Sequence, residues 1–215
     1  MIILDVAVIL VYFTCLIVTI VVFKKVDASF KWLCLLLWIT ITAEAIGHYS
    51  YFIKPLNSYL HYHIYAALVI PIHFFIYRNF LGLSKYWGWL RILFIVGFAF
   101  SIFKTLSVPD YSIGGTEVES VNGFILIITS LIVFLQMLDE PIENNLLRQP
   151  VFWFNTAVFF FYSTTNATTI VGKYLYRHGY PLNALHVTKI SAVVIFYSLL
   201  ALALVMNYKK AKHVR

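Results

Sequence analysis

Hydrophobic residues fall in seven long runs along the chain, separated by short polar connections. A helix rises about 1.5 Å per residue, so each run is suited to crossing a hydrocarbon core of about 30 Å. No run shows the alternation expected of a barrel strand, and open backbone cannot face lipid. The pattern therefore predicts an all-α polytopic membrane protein with seven transmembrane helices. Their predicted bounds are Ile2–Phe23, Phe30–Phe52, Tyr59–Phe80, Tyr86–Ile102, Val121–Leu138, Val151–Gly172 and Ala184–Tyr208, the fourth and fifth being the shortest.

Two connections are longer than the others, and both are acidic. The segment 104–120 contains Pro109, Asp110, Glu117 and Glu119, and we expect a small acidic lid or hairpin outside the membrane. The segment 139–149 is interpreted as a solvated turn, because charge runs in loops are usually solvated. Little sequence remains for a soluble domain, so the expectation is one transmembrane domain over residues 1–215.

Composition supports the membrane assignment and argues against a nucleic-acid-binding protein. Hydrophobic residues make up 61% of the chain and charged residues 12%, against about 25% charged in soluble domains. The net charge of +7 comes from residues in short connections between apolar runs, which indicates membrane topology and a lipid bilayer partner, with no nucleic acid.

The positions of lysine and arginine predict the orientation. An N-out, C-in arrangement puts eleven of the sixteen on the cytoplasmic side, as the positive-inside rule requires. These eleven are Lys24, Lys25, Lys31, Arg78, Lys85, Arg91, Arg148, Lys209, Lys210, Lys212 and Arg215.

A short internal repeat relates helices two and three to helices six and seven. Lys54-Pro55-Leu56-Asn57 followed by Leu60-His61 matches Tyr180-Pro181-Leu182-Asn183 followed by Leu185-His186, with an offset of one residue. Both copies join an outward helix to an inward one, which indicates a parallel 3+1+3 repeat of the kind found in some transporters. In this alignment Glu44 lies opposite Thr165 and Asn166.

The strongest functional signal is Glu44, the one acidic residue deep inside a hydrophobic run. An ionisable group at that depth is costly in lipid, so it normally faces a protein interior or a water-filled cavity. Glu44 and His48 share a face of helix two, and His186 and Lys189 share a face of helix seven. We expect a Glu44–Lys189 ion pair in an outward-opening polar pocket. The predicted ligand-binding residues are Glu44, His48, His63, Asn166, Thr169, His186 and Lys189, and no catalytic residue is assigned.

Two cofactor interpretations are weaker. Zinc ligands could come from His48, His61, His63 and His186, but no His-x-x-x-His or cysteine pair occurs, so no metal site is expected. Lys189 could form a Schiff base with retinal, but it lies near a helix end and helix three supplies no carboxylate. The sequence leaves the cofactor unknown.

Four features of the chain form a recognisable set: Trp38 with Glu44, Tyr62-His63-Ile64-Tyr65, Gln149 to Trp153 with Tyr162-Ser163, and Leu185-His186. In these features the chain resembles a family of small seven-span membrane proteins of Bacteroidota. This chain lacks the carboxylate that is common in helix three of that family. The resemblance implies a sensory or accessory module of the bacterial inner membrane, working beside two-component regulators.

These observations favour a receptor-like sensory module that binds a small ligand, a lipid or a proton on the outer side. The tail from Lys209 is too short for an effector, so a signal would pass to a separate cytoplasmic partner. The alternative is a small-solute transporter with parallel triple-helix repeats. An integral membrane metallohydrolase is third, and we favour a protein that is not an enzyme.

Overall fold

The computed structural model is all helical. It describes residues 2–52, 60–81, 85–107, 116–139 and 145–213, with side chains for all of these except positions 2–5, 48, 50–52, 60, 116 and 213. Within these ranges lie seven α-helices and one short 3-10 helix, Leu146–Arg148. The α-helices are α1 Ile2–Val22, α2 Ala28–Phe52, α3 Leu60–Leu81, α4 Trp87–Ser107, α5 Thr116–Asp139, α6 Pro150–Arg177 and α7 Asn183–His213.

Five helices in the described part of the chain are long and apolar enough to cross a membrane: Ala28–Gly47, His61–Leu81, Trp87–Ser107, Glu117–Asp139 and Asn183–Lys212. The described part of α1 contributes a shorter apolar window, Val6–Val22. Large apolar side chains such as Phe13, Ile20 and Phe103 are exposed, as expected of surfaces that contact acyl chains. The protein is therefore a multi-pass integral membrane protein.

The helix bounds correct one expectation from the sequence. The fourth and fifth helices are longer than predicted, because α4 continues to Ser107 and α5 begins at Thr116, giving 21 and 24 residues; α5 is therefore not among the shortest, whereas α4 equals α1 in length. The polar residues of segment 104–120 predict a loop. In the structure, however, Glu117 and Glu119 occupy the first turn of α5, where negative charge favours a helix. The expected lid or hairpin over 104–120 is thus helical at both ends, and its centre, 108–115, lies outside the described residues.

Contacts divide the chain into two compact units, Ala28–Ile125 and the combination of Met1–Asp27 with Leu126–Arg215. We call them the 28–125 unit and the terminal unit. The predicted single domain over 1–215 stays a prediction. The repeat motif at 54–57 lies outside the described residues.

Aromatic and small residues hold the helices of the 28–125 unit together. Trp32 of α2 stacks on Phe75 of α3 with ring centroids 4.6 Å apart, and Phe30 meets Phe80 at 5.9 Å. These pairs show that α2 and α3 run antiparallel. Gly97 of α4 packs against the end of the Ile125 side chain in α5, which would have to shift if a larger residue replaced the glycine.

In the terminal unit, α6 packs antiparallel to α7. Phe161 stacks on Phe196 with centroids 4.3 Å apart, and a Cβ added at Gly172 would lie 3.4 Å from Leu185. Gly179 follows the C-cap of α6 and has a φ of 72°, a left-handed conformation that favours glycine.

Helix α1 runs parallel to α7 in the same unit. Tyr12 and Cys15 both contact Tyr197, while Asp27, further along the chain, contacts Asn207. The last contact is reciprocal: Asn207 Nδ2 donates to Asp27 Oδ2 at 2.7 Å, and the Asp27 amide donates to Asn207 Oδ1 at 3.1 Å. This clamp joins the end of the α1–α2 connection to α7.

Candidate functional site

Buried polar groups connect three helices of the 28–125 unit. Asn122 of α5 donates Nδ2 to the Ala66 carbonyl of α3 at 2.8 Å. The hydroxyl of Ser101 in α4 lies 3.0 Å from Asn122 Oδ1 and 2.8 Å from the Gly97 carbonyl, so its single proton is divided between two acceptors. Interhelical hydrogen bonds between membrane helices contribute about 0.6 kcal/mol on average. The network fixes the register of α3, α4 and α5.

A second polar group surrounds Tyr65 of α3. Thr40 of α2 is buried, and its hydroxyl lies 3.3 Å from the Tyr65 hydroxyl and 2.8 Å from the Leu36 carbonyl. The charges of Glu44 in α2 and Glu119 in α5 both act on the Tyr65 hydroxyl. We call Thr40, Glu44, Tyr65 and Glu119 the Tyr65 cluster. It comprises two hydroxyls 3.3 Å apart and two carboxylates, of which Glu44 is partly exposed and Glu119 is exposed.

Close packing between α2 and α3 borders this cluster. Ala43 is buried, and a Cβ added at Gly47 would collide with the Tyr62 hydroxyl. Because Gly47 lies three residues beyond Glu44, it shares a helix face with the carboxylate. The absence of a side chain at Gly47 lets an aromatic side chain of α3 approach α2 beside Glu44.

An ion pair joins α4 to α5 near the cluster. Lys104 Nζ lies 2.7 Å from Glu117 Oε2, and the two side chains are 38% and 66% exposed. A pair this exposed contributes at most about 1 kcal/mol, so its main effect is on local charge. Glu119, two residues further along α5, belongs to the Tyr65 cluster.

The predicted site residues fall in both units. In the 28–125 unit, Glu44 is partly exposed and His63 is buried, while the side chain of His48 lies outside the described residues. In the terminal unit, Asn166 is buried, Thr169 is partly exposed, and His186 and Lys189 are exposed. The predicted ligand-binding residues therefore include both buried and exposed side chains. Their role as one ligand site stays a prediction.

The predicted Glu44–Lys189 ion pair would join residues of different units, and it too stays a prediction. One antiparallel helix pair, α6–α7, contains four of the predicted site residues: Asn166, Thr169, His186 and Lys189. Glu44 and His63 belong to another, formed by α2 and α3.

The histidines make separate local contacts. His73 Nδ1 lies 2.8 Å from the Val69 carbonyl, one turn earlier in α3, and the His61 ring lies 4.2 Å from that of Tyr62. Within the described ranges, no group of three or more His, Cys, Asp or Glu side chains is arranged to hold a metal ion. The side chain of His48, a candidate metal ligand, lies outside the described residues.

Sequence reasoning missed most of the Tyr65 cluster and the network beside it. The sequence does not single out these polar groups as site residues, because single hydroxyl or amide groups are common in membrane helices; they are Thr40, Tyr65, Ser101 and Asn122. One signal was present: Asn122 lies at the start of the most apolar part of α5, where an amide requires an interhelical partner. Glu119 was assigned to a loop and so was not considered.

Comparison with known proteins adds no relative to this geometry. No protein-family model, curated protein or solved structure matches the chain. The resemblance to membrane proteins of Bacteroidota stays a prediction.

Proposed function

We propose that the chain is a receptor-like sensory module in which the Tyr65 cluster binds a small cationic ligand or a proton. The observation that carries this proposal is the contact between the Thr40 and Tyr65 hydroxyls, 3.3 Å apart, with the Glu44 carboxylate one helical turn from Thr40. A carboxylate within a membrane-spanning helix favours a bound cation or proton that offsets its charge. The hydroxyl oxygens of Thr40 and Tyr65 can face such a cation.

The proposed module crosses a bacterial cytoplasmic membrane seven times. Parallel packing of α1 and α7 supports an odd number of crossings from α1 to α7, because consecutive spans alternate in direction. α1 and α6 complete the set of seven: the described side chains of α1 form the apolar window Val6–Val22, and α6 has 28 residues.

The proposed orientation is N-out and C-in. It is supported by the eleven basic residues that this orientation assigns to the cytoplasmic side. It also gives the Tyr65 cluster an outward position, since α4 ends and α5 begins on that side. Ligands would then enter from outside the cell.

One observation supports the proposed parallel 3+1+3 repeat: α2–α3 and α6–α7 are both antiparallel pairs, as the repeat requires. In the terminal unit α1 packs with α7, so the compact units do not coincide with the repeat halves.

Signalling would require a separate partner on the cytoplasmic side. The reciprocal hydrogen bonds between Asp27 and Asn207 couple the α1–α2 connection to α7 at the end proposed to face the cytoplasm. A ligand-dependent shift of either element would be presented to the partner there.

The test is ligand binding by purified protein with choline and tetramethylammonium as probes and with protons as the competing ligand. We expect these cations to raise the thermal stability of the wild-type chain, and Glu44→Gln to abolish the increase. Glu117→Gln is the matched control, because it removes the same charge from an exposed ion pair. An unchanged response in Glu44→Gln, or an equal loss in both variants, would contradict the proposal.

A flux measurement separates the sensor from the transporter. Radiolabelled choline should bind to protein in vesicles without accumulating inside them. Accumulation that depends on Glu44 would replace the sensory proposal with transport. Metal analysis of the purified chain, full length and including His48, tests the metallohydrolase alternative.

A further inference from the structure

The end of the α6–α7 pair, residues 170–190, is basic and rich in tyrosine, and we call it the α6–α7 tip. It contains no Asp or Glu. Its exposed cationic, imidazole and phenol side chains are Lys173, Arg177, Lys189, His178, His186, Tyr174, Tyr176 and Tyr180. Among the described residues, its lysines and arginine form no ion pair. The tip is therefore a concentrated, uncompensated positive surface.

Helix packing arranges these groups along one end of the hairpin. Because Gly172 meets Leu185 and the helices are antiparallel, Lys173 lies one residue nearer the connection and His186 one residue further from it, about 3 Å apart along the helix axis. Arg177 is one turn nearer the connection than Lys173, and Lys189 is about one turn further from it than His186. Lys173 and Arg177, four residues apart, lie on one face of α6.

The length of α7 is sufficient for the tip to reach the headgroup region. The apolar span of α7, Asn183–Lys212, has 30 residues, or about 45 Å at 1.5 Å per residue, against a hydrocarbon core of about 30 Å. One or both ends must therefore extend past the core. Tyr174 lies against His178 with ring centroids 4.3 Å apart, and tyrosine is typical of the membrane interface.

The turn that joins the helices holds this arrangement. The amide of Tyr180 donates to the Leu175 carbonyl at 3.0 Å, and that of Gly179 donates to the Tyr176 carbonyl at 3.2 Å. These two bonds with the left-handed Gly179 form a Schellman motif, which ends α6 sharply. Lys173 and Arg177 therefore precede a turn of defined geometry, and Lys189 follows it.

We propose that the α6–α7 tip binds the phosphate groups of anionic phospholipids in the adjacent leaflet. The Arg177 guanidinium can bind a phosphate with two parallel hydrogen bonds, and the lysines add positive charge. In the proposed orientation this leaflet is the outer one, where the positive-inside rule disfavours cations. Three of the five basic residues assigned to that side lie in the tip, namely Lys173, Arg177 and Lys189.

The proposal is independent of the Tyr65 cluster. Its test is a titration of the purified chain with phosphatidylglycerol, counted by native mass spectrometry, with phosphatidylcholine as the neutral lipid. We expect the combined variant Lys173→Gln, Arg177→Gln, Lys189→Gln to bind phosphatidylglycerol at least about tenfold more weakly, since each cation near a lipid surface contributes appreciably. Binding of phosphatidylcholine should not change.

A matched variant controls for total charge. Lys24→Gln, Lys85→Gln and Arg91→Gln together remove three exposed cations that are not gathered on one helix pair, and should retain binding. Lys173→Arg with Lys189→Arg keeps the charge and should also retain it. Equal loss in both glutamine variants, no loss in the tip variant, or displacement of the lipid by inorganic phosphate alone would overturn the proposal.

Discussion

At the residue scale, the informative polar groups are those that bond between helices. Asn122 is buried at 2% exposure and connects the α3 backbone with the Ser101 hydroxyl. Asn79, by contrast, is exposed and donates to the Phe75 carbonyl of its own helix at 3.2 Å. The same residue type therefore has a structural role at one position and a local contact at the other.

Asn122→Ala should lower the free energy of unfolding by about 1 kcal/mol, because the Ala66 carbonyl loses an interhelical donor. Asn79→Ala should leave it nearly unchanged. Equilibrium unfolding in mixed micelles measures both variants. A loss at Asn79 as large as that at Asn122 would show that the network does not stabilise the helix contacts.

Glu44 shows how far a single residue could be interpreted from sequence. Its depth in an apolar run predicted a protein-facing site, because a charge in lipid is costly. Its surroundings could not be predicted: Thr40 is on the same helix, but Tyr65 meets Thr40 only through the packing of α2 against α3. A sequence places polar groups along helices, whereas rotation of each helix decides which groups meet.

At the scale of elements, the hydrophobic pattern located all seven helices but misplaced several ends. α6 continues from the predicted Gly172 to Arg177, and α7 continues from Tyr208 to His213. The pattern records the width of the lipid core, while backbone hydrogen bonding and capping decide where a helix stops. The Schellman turn at Gly179 is such a signal.

The contact between α4 and α5 gives a prediction for one helix with its own control. Gly97→Ala should destabilise the protein by about 1 to 2 kcal/mol, because the added methyl would overlap the end of the Ile125 side chain. Gly88→Ala, on the same helix, meets nothing within 4 Å and should be neutral or stabilising.

A second substitution tests the cause. Ile125→Val removes the methyl group that Gly97→Ala would meet, so the double variant should recover part of the loss. A double-mutant cycle measures this coupling. Strictly additive effects would mean that the loss arises elsewhere.

At the scale of the whole molecule, the apolar helices make this a multi-pass membrane protein, and its orientation is open to direct measurement. His178 and Lys212 lie near opposite ends of α7 and are both exposed, while the native Cys15 and Cys34 are buried. These positions allow labelling at introduced cysteines against a low background.

In intact cells, a membrane-impermeant maleimide should label His178→Cys but not Lys212→Cys. Lys212→Cys should react only after the membrane is permeabilised. The reverse pattern would establish the opposite orientation, and labelling of both in intact cells would mean that α7 does not cross the membrane.

The most direct test of the central claim is the accessibility of position 44 to water. Glu44→Cys should react with a water-soluble cationic thiosulfonate, because the proposed cation site at the Tyr65 cluster is open to water. Thr42→Cys is the control, since residues two apart on a helix point in different directions and Thr42 is exposed on an apolar helix. We expect rapid reaction at 44 and little at 42. Failure of Glu44→Cys to react, or equal rates at both positions, would contradict it.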